Sequence, residues 1–128
     1  MKLIVALLAA FVILAVLAFP LPQAVKTDFS GTWLGKTEVP DAGIDELTLV
    51  LKKDKDSYAG TVVDSFQMIA PETPIQNVKI EATALTFTFP LTDGAIITCK
   101  LKMDGDKMTG QWEHPEGSMG AITFEKKK

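Results

Sequence analysis

The chain contains no arginine: all thirteen of its basic residues are lysines, set against sixteen acidic ones for a net charge of −3. Without a guanidinium there is no bidentate clamp for phosphate or carboxylate, and an acidic balance is the wrong sign for a nucleic-acid partner. Histidine, cysteine and tyrosine occur once each. One histidine cannot supply a histidine-rich zinc site, and one cysteine cannot close a disulfide within the chain. Two strong catalytic signatures are also missing, the Gly-x-Ser-x-Gly elbow of serine hydrolases and the glycine-rich phosphate loops. Cofactors are therefore not expected.

What is present begins with an uncharged run of seventeen residues, Leu3 to Phe19, behind Met1-Lys2. A short basic start leading into an apolar run reads as an export signal. Its length allows two outcomes, since cleaved signals have apolar regions of about 7–15 residues and membrane spans need about 17–25. Ala18 is small enough to precede a cleavage site, and Pro20 and Pro22 end any helix there. We expect residues 1–18 to be a signal peptide or an N-terminal membrane anchor, 19–27 a linker and 28–128 a single domain. Either outcome puts the domain outside the cytoplasm, periplasmic or extracellular, with a membrane touched only through residues 3–19 if they are kept. With Lys2 removed, the remainder carries twelve lysines against sixteen acids, a charge of −4. The roughly 110 residues left suffice for one modest core.

From Asp28 onward, apolar residues alternate with polar ones and no long segment has a helical period. Leu47, Leu49 and Leu51 share one parity, as do Leu85, Phe87, Phe89 and Leu91. These are half-buried antiparallel strands. Asp54-Lys-Asp-Ser57 and Asp104-Gly-Asp-Lys107 read as hairpin turns whose Asp and Gly tolerate positive φ. Strands are predicted near 31–39, 45–53, 58–66, 75–81, 85–91, 95–103, 107–113 and 119–126. Pro90 falls on the outward parity near a strand end, where its missing N–H does least harm. Cys99 shares the parity of Ile97 and Leu101 and reads as a small buried side chain. The resulting fold class is all-β: an eight-stranded antiparallel up-and-down barrel after an N-terminal hydrophobic export helix. The inward set is Trp33, Leu47, Leu49, Leu51, Val62, Val78, Ile80, Leu85, Phe87, Phe89, Ile97, Leu101, Met108, Trp112, Ile122 and Phe124.

The order of motifs is particular. Asp28-Phe-Ser-Gly-Thr-Trp33 has the Phe-x-Gly-x-Trp form. Behind it come Leu47-Thr-Leu-Val-Leu51, Tyr58-Ala-Gly-Thr61, Asp64-Ser65, Pro74-Ile-Gln-Asn-Val78, Leu85-Thr-Phe87 and Met108-Thr-Gly-Gln-Trp112. This series resembles lipocalin-like, calycin-type barrels, and in particular the small barrel that precedes the hydrolase domain of some exported bacterial α/β-hydrolases. The resemblance spans residues 28–126 and implies a bacterial, stand-alone barrel without the hydrolase activity. In that pattern the opening tryptophan packs near a basic residue of the last strand, for which Lys126 is the substitute.

Each chemical candidate has a plainer reading beside it. His114 with Glu116 reads as a surface turn, since no further ligands accompany it. Asp54-x-Asp56 and Asp104-x-Asp106 resemble the start of a calcium loop, but Ser65 and Pro115 stand where its bidentate glutamate should be. No two acids are placed together in a cleft by the pattern. Lys126 to Lys128 read as a solvated tail that protects the last strand from further pairing. The function expected is that of an exported, non-enzymatic barrel. Either it binds a small apolar ligand in its interior, or it is a structural or protein-interaction domain with a filled core that contacts a partner through the 67–75 loop. For the first alternative the ligand-binding candidates are Trp33, Tyr58, Phe66, Met68, Ile69, Phe87, Phe89 and Trp112, with Tyr58 near the mouth and Met68 and Ile69 in a lid.

Overall fold

In a computed structural model, residues 27–128 are described; the expected export segment and most of the linker lie outside them. Nine antiparallel strands form one sheet: β1 (Gly31–Val39), β2 (Gly43–Asp54), β3 (Ser57–Asp64), β4 (Thr73–Pro74), β5 (Gln76–Glu81), β6 (Ala84–Pro90), β7 (Ile96–Asp104), β8 (Lys107–Glu113) and β9 (Met119–Lys126). Their order, β4-β3-β2-β1-β9-β8-β7-β6-β5, is a meander in which the first long strand pairs with the last, Thr37 opposite Ile122. The two outermost strands are neighbours in the chain. Ile75, between them, donates its N–H to the Gly60 carbonyl at 3.0 Å, so the sheet curls into a nearly closed barrel.

The strand count corrects the expected eight. The segment near 75–81 divides into β4, which adds to β3, and β5, which adds to β6, because Ile75 turns inward between them. In β5 the pairing jumps from Gln76 opposite Thr88 to Lys79 opposite Thr86, so Asn77 and Val78 together face one partner residue. Asn77 takes the left-handed φ of 54° that such a bulge needs. Val78 is only half-buried as a result. Ile80 also departs from expectation at 37% exposed, since it keeps the inward parity, opposite Leu85, but stands beside the 81–84 turn in a short edge strand. The two predicted hairpins close at Asp54–Ser57 and Asp104–Lys107, with the positive φ falling on Lys55 and Gly105 rather than on an aspartate.

The two ends of the barrel differ. At the first, residues 27–30 cross the opening and Phe29 plugs it. Tyr58 Oη accepts the Phe29 N–H at 3.0 Å and donates to Asp28 at 3.3 Å, while the Trp33 indole N–H donates to the Phe29 carbonyl at 2.9 Å. Phe29 and Tyr58 meet edge to face at 5.6 Å. Lys126, paired with Trp33 in register, holds its Nζ 5.6 Å from the Trp33 ring centroid. Behind this plug Leu49, Leu51, Leu85, Phe87, Met108 and Phe124 are fully buried, each contributing about 1.5–3 kcal/mol of transfer free energy. The packing loosens toward the second end, where the 40–42, 65–72, 91–95 and 114–118 connections surround a mouth.

Candidate functional site

The mouth opens into a cavity of about 290 Å³. Its wall is largely apolar: Leu47, Phe89, Ile97 and Ile122 come from inward positions of β2, β6, β7 and β9, and Val39, Pro40, Leu91 and Met119 complete its upper part. Ile69 folds down from the 65–72 loop and is 3% exposed, with Met68 beside it at 39%. A cleft of about 310 Å³ at the plugged end is comparable in size but is lined by exposed Lys53, Lys55 and Asp56 around Tyr58. Lining chemistry, not volume, selects the mouth, because ligand pockets combine an apolar wall with a few convergent polar groups.

Those polar groups are Thr37, Asp45, Asp64, Trp112, His114 and Ser118. The Trp112 indole N–H donates to Thr37 Oγ1 at 2.8 Å, and Thr37 Oγ1 donates onward to the Ala121 carbonyl at 2.6 Å, which holds the indole across one side of the mouth. His114 belongs to its turn: its N–H donates to the Ser118 carbonyl at 2.8 Å and its Nδ1 accepts from the Glu116 amide at 3.1 Å.

Asp45 and Asp64 are buried on adjacent strands, and both line the cavity. Together they anchor the loop. Asp45 Oδ1 accepts from the Ser65 N–H at 3.1 Å, the Ser65 hydroxyl at 3.0 Å and the Phe66 N–H at 3.2 Å. Asp64 accepts from the Ile69 N–H at 2.9 Å and the Met68 N–H at 3.3 Å. Removal from water, with the neighbouring Asp64 carboxylate, pushes the Asp45 carboxyl up to about 6 from its ordinary 3.8.

Of the eight residues read from sequence as ligand contacts, four line this cavity: Met68, Ile69, Phe89 and Trp112. Trp33 and Phe87 lie in the packed interior below it. Phe66 is 37% exposed on the loop, outside the lining. Tyr58 is at the opposite end, a correction to its expected place near the mouth, because it opens β3 directly after the 54–57 hairpin and β3 reaches the mouth only at Asp64. The acid pair is the other correction, since no two carboxylates were expected in a cleft. Parity carries the signal that finds them: Asp45 continues the inward series Leu51, Leu49, Leu47, and Asp64 follows Val62 by two.

No family model matches the chain, and no curated protein matches it. Among solved structures it is similar to a de novo designed fluorescence-activating β-barrel, with a TM-score of 0.51 at 15% identity over 77% of this chain and 94% of that one. At this identity the likeness shows a shared barrel fold.

Proposed function

We propose that this barrel is an exported, non-enzymatic, lipocalin-like binding protein that takes a small apolar ligand at its mouth. The observation that carries the reading is the apolar cavity of about 290 Å³ at one end of a barrel whose other end is plugged. A void of about 150 Å³ already admits benzene, so this one suits a molecule of about twice that size. The position of Lys126 over Trp33 supports the lipocalin-like assignment, and the designed barrel is compatible with ligand binding by such a fold. The apolar run 3–19 supports export. The non-enzymatic reading draws support from His114, whose imidazole is taken up by its own turn, and from Ser30 and Ser65, whose hydroxyls donate to Asp28 and Asp45.

The test uses Trp112, which lines the cavity, as reporter in a Trp33→Phe variant that leaves it the only tryptophan. Titration with a neutral probe, 1-hexanol, is expected to shift Trp112 emission with a saturable Kd of about 0.1–1 mM, the range open to a ligand of so few atoms. A linear, non-saturating response would remove the ligand reading.

A second reading keeps the same end of the molecule but fills it with a protein partner. It is favoured by the apolar side chains at the rim, Ile44, Phe66, Met68, Ile96 and Met119, all exposed.

A further inference from the structure

We infer that the ligand is a cation with an apolar body, a small aliphatic or aromatic amine in its protonated form, whose ammonium group sits against Asp45 and Asp64. This inference rests on the ligand reading above and names its chemical class. The cavity independently marks where a ligand goes; the carboxylate pair on its wall says what kind.

Three observations converge. First, Asp45 lies on the cavity wall and takes all three of its hydrogen bonds from the loop on Oδ1, so none of these donors occupies Oδ2. The site therefore has an acceptor to offer. Second, no lysine lines the cavity, and the only other titratable group on its wall is His114. Third, the four connections around the mouth, residues 40–42, 65–72, 91–95 and 114–118, carry Asp41, Glu72, Asp93 and Glu116 and no lysine. The hairpins at the plugged end mix the signs, with Lys55 and Lys107 among their aspartates, and Lys126 to Lys128 lie at that end as well. The potential over the mouth is therefore negative, which concentrates cations there and repels carboxylates and phosphates. A fatty acid is the wrong ligand for this opening.

A metal ion fits less well than an organic cation. Among the described residues no group of three histidine, cysteine or acidic side chains converges, so a metal would have two carboxylates and no third ligand. An ammonium group needs only hydrogen-bond acceptors, and its alkyl or aryl part buries against Leu47, Phe89 and Ile122.

The experiment compares three probes of one shape, hexylamine, 1-hexanol and hexanoate, by calorimetry at pH 7.5 on the folded barrel. Hexylamine is expected to bind about tenfold or more tightly than 1-hexanol, and hexanoate most weakly. Asp45→Asn, which keeps Oδ1 as acceptor for the loop, should bring the ratio of hexylamine to 1-hexanol affinity down toward one. Equal binding of amine and alcohol, or tightest binding of hexanoate, overturns the cationic class while the ligand cavity stands. Failure of all three to bind overturns both. The wild-type comparison decides the matter even if a variant fails to fold.

Discussion

Trp112 lies flat on Gly120, its cross-strand partner in β9: a Cβ at that glycine would come within 2.6 Å of the indole. The missing side chain lets the ring sit low enough for its N–H to reach Thr37 at 2.8 Å. Gly120→Ala therefore has to tilt the indole toward the cavity and strain the Thr37 bond. We expect a loss of about 1–3 kcal/mol in urea unfolding, the usual cost of forcing extra carbon into a fitted contact. Trp112 emission should shift at the same time, and an unchanged spectrum would refute the coupling between the glycine and the indole.

The carboxyl pair sets a pH dependence whose sign is opposite to that of ordinary salt-bridged acids. Asp45 has a folded pKa of about 6 against an ordinary 3.8, so between those values the folded chain holds more protons than the unfolded one. Its contribution to stability is full below pH 4, declines as pH rises to about 6 and is flat beyond. The loss is at most about 3 kcal/mol, taking about 1.4 kcal/mol for each tenfold change in acidity. Asp45→Asn removes this penalty and keeps an acceptor for the loop amides. Relative to wild type, its melting temperature should rise at pH 8 and be little changed at pH 4.5. Asp28 and Glu113 shift the other way, held below the ordinary carboxylate range by hydrogen bonds from Ser30 and from Lys100 respectively. Their contributions are lost as pH falls, which is why the variant is compared with wild type at each pH.

At the plugged end the single tyrosine is structural. Tyr58→Phe keeps the ring against Phe29 but leaves the buried Phe29 N–H without its acceptor. An orphaned buried donor costs about 1–3 kcal/mol. The expected signature is local as well as global: hydrogen exchange at the Phe29 amide should quicken far more than at Leu49 in the middle of β2.

Most of the barrel can be read from period two. Leu47, Leu49, Leu51, Leu85, Phe87 and Phe89 point inward as their parity requires, and Pro90 sits in the last pair of β6 and β7, where a missing donor matters least. The same rule, applied to polar residues, reaches Asp45 and Asp64; it fails to do so only when apolar residues alone are followed. What parity cannot reach is where a strand breaks or ends. Ile75 turning inward splits one segment into two strands, and Asn77 opens a bulge without any glycine to announce it. The place of Tyr58 is beyond parity for a different reason: parity says that a side chain faces inward, not which end of the barrel it faces.

Cys99 is 1% exposed, and burial pushes its thiol up to about 12. A thiol kept neutral and out of reach does not react. Ellman's reagent at pH 8 should label the chain only at the rate of unfolding, so that labelling of the native protein within minutes would contradict this packing.

The two ends of the barrel predict opposite responses to added volume. Leu49 is fully buried among large neighbours, and Leu49→Phe should cost about 1–3 kcal/mol because nothing there can give way without strain. Ile97 is also buried, yet it borders the cavity from β7. Ile97→Phe gains ring carbons that have somewhere to go, so its stability should stay within about 1 kcal/mol of wild type. Because the ring occupies the space a ligand needs, the same variant should lose saturable binding of 1-hexanol and hexylamine alike, whereas Asp45→Asn loses only the preference between them. Chemical denaturation and calorimetry on these three variants separate space from charge: space governs whether anything binds, and charge governs what.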